Sequence, residues 1–214
     1  MIPTLILVGQ FDSPVTRRVG VVLHHYGIPF TRDARSIFGD AAEIAKITPM
    51  IRIPALILEG GEVLIDSNAI LDYLDEQVGP TRALIPPSGE GRRKILQATA
   101  RAHACFEKSG ALVYERIFHP ADHASPQWEA RCQTQLAAGL TELEQLFEGP
   151  WLCGETLSHA DIMLACAAGY MNLRLQSAFP PGAYPNLEAL ATKCEALPAF
   201  KAARIGANET MPKV

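Results

Sequence analysis

Three short stretches hold residues whose types and spacing suit chemistry on an anionic ligand. The first is Ser13-Pro14, which follows an apolar run, Leu5-Ile6-Leu7-Val8, closed by Gly9. Ser13 reads as a helix N-cap with Pro14 at the first helical position, where its missing N–H costs nothing. A hydroxyl there can donate a hydrogen bond to an anion, and the helix dipole favours the same negative charge. Thr16, one turn further in, is a weaker hydroxyl of the same kind. The second stretch is Arg52-Ile53-Pro54, a cation beside an X–Pro bond at the start of an apolar run. The third is Asp66-Ser67-Asn68, a second helix start.

Other chemistries fit less well. The five cysteines are Cys105, Cys132, Cys153, Cys166 and Cys194. Their odd number and lack of close pairing argue against a disulfide framework or a metal site, so no metal is expected. They read as free thiols of a reducing compartment. None precedes Cys105, so no cysteine lies at the start of the first helix. His24, His25 and His103 have no ligand spacing. The net charge of −4 argues against a nucleic-acid partner, which needs a basic face to neutralise phosphates. No apolar run reaches the roughly 18 residues of a membrane span. Met1 to Gln10 lacks the basic start and small-residue cleavage site of a secretory leader, so a cytoplasmic location is expected.

The elements that must carry these residues follow from periodicity. With 48% apolar and 20% charged residues, the chain can bury a sizeable core. After the first strand, Val15, Val19, Val22, Leu23 and Tyr26 recur at helical spacing, and Gly27 is a C-cap signal. Pro29 to Ala34 reads as a second strand, parallel to the first through a crossover helix. Asp40 to Ile47 reads as a short helix. Ala55 to Leu58 and Val63 to Ile65 flank Glu59-Gly60-Gly61-Glu62 as a hairpin. Asp66-Ser67-Asn68 then opens a helix carrying Ile70, Leu71, Leu74 and Val78. Residues 1–78 thus read β-α-β-α-β-β-α. Residues 79–91, rich in Pro and Gly, form a linker. From 92 to 214 only helices are expected: Arg92 to His119, bent near Gly110; Pro126 to Phe147; Ser158 to Leu175; Pro185 to Ala196; and Pro198 to Arg204. The tail, Ile205 to Val214, either covers the site or is disordered.

This order of elements resembles the cytosolic glutathione transferase superfamily, of the serine-type, bacterial or tau-like kind. Four motifs carry the resemblance from about Leu5 to Arg204: Ser13 to Val19 after the strand, Arg52-Ile53-Pro54-Ala55-Leu56, Asp66-Ser67-Asn68-Ala69-Ile70, and Ser158-His159-Ala160-Asp161. Each alone is weak, and in this order they are strong. The fourth is a capping box with Asp at its third helical position, a folding signal to which no chemistry is assigned.

The resemblance implies a thioredoxin-like α/β domain that binds glutathione, followed by an all-α domain with an electrophile site and homodimer contacts. A free thiol is only a few per cent ionised at neutral pH, so such an enzyme must stabilise the thiolate. Ser13 matches the serine that holds the glutathione sulfur. Asp12, beside it, would oppose the thiolate unless it points away. Ile53-Pro54 matches a cis-proline loop whose preceding backbone pairs with the cysteinyl part of the peptide. Arg52 matches a cation for the glycyl carboxylate. Ile51 stands where the family often has Gly. Asp66 and Ser67 match the residues that hold the γ-glutamyl ammonium and carboxylate. Tyr114 and Phe118, with Arg116 or His119 as further candidates, fall where the first long helix would line the electrophile pocket.

The expected function is conjugation of glutathione to a small apolar electrophile, in a detoxification role. A non-catalytic dimerisation or docking module of the same fold is the alternative. A thiol–disulfide reductase ranks below both, because Ser13 and Thr16 stand at the cysteine places. A maleylacetoacetate-type isomerase also ranks lower, because its Ser-Ser-Cys pattern is missing before the first helix.

Overall fold

The computed structural model describes residues 5–120 and 122–209, and the rest of the predicted tail, 210–214, lies outside the described residues. By their contacts the described residues fall into two units, one of 5–83 together with 196–209 and one of 84–195. Residues 196–209 therefore pack with the first unit, although in sequence they follow the helical region.

In the first unit, β1 (Leu5–Val8), α1 (Pro14–Tyr26), β2 (Phe30–Asp33), α2 (Ala41–Ala45), β3 (Ala55–Ile57), β4 (Val63–Ile65) and α3 (Ser67–Val78) follow in the predicted order. The sheet order is β2-β1-β3-β4. β1 runs parallel to β2, with Leu7 opposite Arg32, and antiparallel to β3, with Leu7 opposite Leu56. β4 returns antiparallel to β3. A four-residue strand buries little by itself, and Leu7, Val8, Ala55 and Leu56 are all fully buried, so β1 and β3 are the centre of the core. This is a thioredoxin-like sheet.

Helix α1 was expected to show one apolar face. Instead Thr16 to Leu23 is buried all round, Arg17 and Arg18 included. Gly27 closes the helix in the left-handed conformation, at φ 67°. Two polar contacts tie α1 to α3. At their N-terminal ends, Arg18 Nη2 donates to Ser67 Oγ at 2.5 Å and to Asn68 Oδ1 at 2.8 Å. At the other end of α1, the Tyr26 hydroxyl donates to the Asp75 carboxylate.

In the second unit, α4 (Gly89–Phe118) packs on α5 (Pro126–Glu144) and α6 (His159–Arg174), and α6 on α7 (Pro185–Glu195). Ser158 and Asp161 form the expected capping box at the start of α6. Helix α4 begins three residues before the predicted Arg92, and α5 stops before Phe147, whose apolar side chain continues the period past the helix end toward Gly149-Pro150. A short 3₁₀ turn, Gln176–Ala178, carried no sequence signal. The last helix, α8 (Pro198–Ala202), packs on α1 in the first unit.

Candidate functional site

Gly9 ends β1 with φ 129°, a backbone conformation that favours glycine. A Cβ there would lie 2.9 Å from both Ile53 Cβ and Thr16 Oγ1, so the missing side chain lets the Ile53 loop and helix α1 close on the end of β1. Thr16 is fully buried in that contact and cannot present its hydroxyl to a ligand. The turn after Gly9 is closed by the Ser13 N–H donating to the Gln10 carbonyl at 3.3 Å, and it delivers Ser13 to the N-terminus of α1.

Ser13 is half-buried, and its side chain makes no capping bond. Its carbonyl instead accepts from the N–H groups of Thr16 and Arg17. No acidic side chain lies in the first turn of α1. The hydroxyl is thus uncommitted at the positive end of a helix dipole. Asp12 is buried, at 8% exposure, and engaged in an interaction of its own.

The Ile53-Pro54 peptide bond is cis. β3 begins at Ala55, so Ile53 precedes the strand pairing of the sheet. Arg52 is exposed, with no ion-pair partner among the described residues. Ile51 has φ 50°, in the left-handed region where glycine is preferred and a β-branched residue is an outlier.

Asp66 caps α3, and its Oδ1 accepts from the Asn68 N–H at 2.8 Å. Asp66 also has a positive φ, 67°, with ψ 126°. Such backbone conformations persist where the surroundings over-determine them, and they cluster at ligand sites. Ser67 is buried, and its oxygen accepts from Arg18, which leaves its own O–H to donate.

On α4, Tyr114 and Phe118 stand one turn apart as an edge-to-face pair, ring centres 5.7 Å apart. Both are exposed, at 42% and 48%, and not part of the helical core. Arg116 and His119 are committed to carboxylates: Arg116 to Glu129 on α5 at 2.6 Å, and His119 to Glu115 at 3.0 Å.

The thiols offer no competing nucleophile. Burial pushes Cys105 up to about 12 and Cys153 up to about 11, and it raises Cys194 as well. Among the described residues no cluster of three or more His, Cys, Asp or Glu could hold a metal ion.

Sequence reasoning gave no role to Arg18, although a cation inside an apolar helical run is the signal that could have found it. It also passed over Phe11 and Glu209, which meet at the turn before Ser13: the Phe11 N–H donates to Glu209 Oε2 at 2.5 Å. No local signal links two residues that far apart in the chain.

A thioredoxin-like unit with an uncommitted serine at its first helix and a cis-proline loop beside it, together with a helical unit, defines the class as a thioredoxin-fold protein with an added helical part. Comparison with known proteins narrows this class. Residues 12–77 match the glutathione S-transferase N-terminal domain and residues 126–191 match the C-terminal domain. Maleylpyruvate isomerase from a Ralstonia species is 30% identical over 205 residues, covering 89% of this chain and 92% of that protein. A glutathione S-transferase from Methylobacillus flagellatus, solved with glutathione bound, has TM-score 0.86 and 28% identity, covering 94% of this chain and 98% of the other. A glutathione transferase family member from Pseudomonas fluorescens, also with bound glutathione, has TM-score 0.82 and 29% identity, covering 95% and 100%. The chain belongs to the glutathione S-transferase family.

Proposed function

We propose that this protein binds glutathione and stabilises its thiolate for attack on a small apolar electrophile. The observation that carries this reading is the uncommitted Ser13 hydroxyl at the N-terminus of α1. That hydroxyl donates to the glutathione sulfur, and the helix dipole adds to the effect, so the thiol proton is released to solvent at a lower pH. The sulfur lone pair then forms a C–S bond with the electrophile. A leaving group departs with its electron pair, or, in addition to an activated double bond, the neighbouring carbon takes a proton from water. Catalysis comes from thiolate stabilisation and from positioning.

The remaining candidate residues divide the tripeptide among them. The Ser67 hydroxyl and the N-terminus of α3 take the γ-glutamyl carboxylate. Asp66 spends one oxygen on Asn68 and offers the other to the γ-glutamyl ammonium. The backbone of Ile53 pairs with the cysteinyl unit, and exposed Arg52 takes the glycyl carboxylate. Tyr114 and Phe118 are the apolar wall for the electrophile. The family also suggests a homodimer acting in the cytoplasm in detoxification. The dimer is checked by light scattering on the eluting protein, and the free cysteines suit a reducing compartment.

The deciding experiment is a glutathione titration read by thiolate ultraviolet absorbance across a pH series. Thiolate is expected well below the free-thiol pKa of about 8.5, and Ser13→Ala should abolish it. Binding without ionisation would remove Ser13 from the mechanism. Absence of binding at millimolar glutathione would leave the docking-module reading.

A second reading is favoured by the relative named maleylpyruvate isomerase. In a glutathione-dependent isomerisation the thiolate adds to a double bond and leaves again, so glutathione is returned unchanged. The absence of the Ser-Ser-Cys pattern counts against it. Product analysis separates the two: conjugation consumes glutathione and isomerisation does not.

A further inference from the structure

We propose that Glu209 is a positioning residue for Ser13, and that the segment 196–209 completes the thiolate site by holding the turn that presents it. This inference rests on the role proposed for Ser13.

The turn from Gln10 to Ser13 is short and closed by one backbone hydrogen bond. Nothing in that bond fixes Phe11, the residue at its outer corner. Three contacts do. The Phe11 ring packs so closely on α1 that a Cβ at Gly20 would lie 2.5 Å from it. The Arg32 guanidinium of β2 lies over the ring, 3.5 Å from its centre. The Phe11 N–H donates to Glu209. Glu209 also pairs with Arg32. One carboxylate thus grips both the turn backbone and the cation that clamps the turn's aromatic ring. It is buried, at 8% exposure, and a buried carboxylate is tolerated only when paired and hydrogen-bonded in this way.

The segment that carries Glu209 has a second anchor on the same helix. Arg17 Nε donates to the Ala203 carbonyl at 2.9 Å, and its guanidinium lies 5.4 Å from the Phe200 ring. Glu209 is further shaped by its own turn, in which its N–H donates to the Gly206 carbonyl at 3.0 Å. Residues 196–209 therefore run from the first turn of α1 to the turn that precedes it, with Ser13 between the two anchors. Because Arg32 neutralises the carboxylate, Glu209 contributes geometry to the sulfur site without a net negative charge.

The test compares the full-length protein with Glu209→Ala and Glu209→Gln, using two readouts. Backbone hydrogen exchange over residues 11–13 reports whether Glu209 holds the turn. The pH dependence of thiolate absorbance for bound glutathione, with kcat and KM for glutathione, reports whether the turn positions Ser13. In Glu209→Ala, exchange should accelerate and the thiolate pKa should move toward the free value of about 8.5. kcat should fall about tenfold while KM for glutathione changes less than about twofold, because misplacement acts on the reacting centre. Glu209→Gln, which keeps an amide oxygen for the Phe11 N–H but loses the charge that pairs with Arg32, should recover part of the loss. Faster exchange with an unmoved thiolate pKa would show a merely structural contact and overturn the proposal. Unchanged exchange would overturn it as well. If the unaltered protein does not ionise glutathione, the role of Ser13 fails and this inference fails with it. That outcome is seen in the unaltered protein alone and is distinct from the other two.

Discussion

At the scale of single residues, the site places two L-amino acids where the backbone prefers glycine. Ile51 does so beside the cis peptide and Asp66 at the cap of α3. Asp66 has compensation, since its side chain caps the helix. Ile51 has no such cap, and the residue is 38% exposed. Left-handed backbone costs an L-residue roughly 1–2 kcal/mol, and glycine loses somewhat less than 1 kcal/mol of that advantage through its freer unfolded chain. Ile51→Gly should therefore stabilise the protein by about 1 kcal/mol, seen as a higher denaturant midpoint at unchanged slope. A lower midpoint would mean that the Ile51 side chain makes stabilising contacts. Ser13, Pro54 and Ser67 were legible in the sequence because helix starts and X–Pro bonds leave local signals. Arg18 was not, because its partner Ser67 lies 49 residues away. Its burial depends on how α1 meets α3, and one helix does not encode that.

At the scale of elements, α6 shows how a buried helix secures its first turn. The Asp161 carboxylate accepts from the Ser158 N–H and hydroxyl and from the Leu152 N–H, all within 2.8 Å. Asp161→Ala leaves these groups unsatisfied at a buried site, where Asp161 and Ser158 are almost wholly shielded from solvent. The loss should be about 3 kcal/mol or more, measured by chemical denaturation. Burial raises the Asp161 pKa above its ordinary 3.8 despite the three donors. The folded protein then binds a proton more readily than the unfolded chain, so this group's contribution to stability declines as pH rises from just below 3.8 through the folded value. Comparing the protein with Asp161→Asn over mildly acidic pH isolates this slope. The variant should lack it, and equal slopes would place the titration on another group. The capping box was readable because its two residues are three apart. The exact helix ends were not: apolar spacing ran on to Phe147 after the backbone had left α5.

At the scale of the whole molecule, the thiols are a stringent check on packing. Cys105, Cys132, Cys166 and Cys194 are buried, and Cys153 is half-buried. At neutral pH an alkylating reagent should label Cys153 first, and slowly, because even that thiol is pushed up to about 11. The other four should react only once denaturant is added, as mass spectrometry of the modified protein would show. Rapid native labelling of Cys105 would contradict the packing of α4 on α5. The break between the two units at residues 83 and 84 falls within the Pro- and Gly-rich stretch after α3, which was visible in the sequence. The return of residues 196–209 to the first unit was not, because proline-opened helices at the end of a helical region look like more of the same. Only contacts spanning almost the full chain, such as Arg17 to Ala203, disclose it.

That return has a consequence in time as well as in space. A ribosome releases the thioredoxin-like sheet early, but the segment that packs on α1 and holds the turn before Ser13 emerges only after the whole helical unit has been made. At ~5–20 residues per second, the nascent sheet waits on the order of ten seconds for its last piece. During that interval the groups that later meet Glu209 and Ala203 face solvent, or whatever binds nascent chains. The turn before Ser13 is therefore completed only after the helical unit has been synthesised, although Ser13 itself is translated well before that unit.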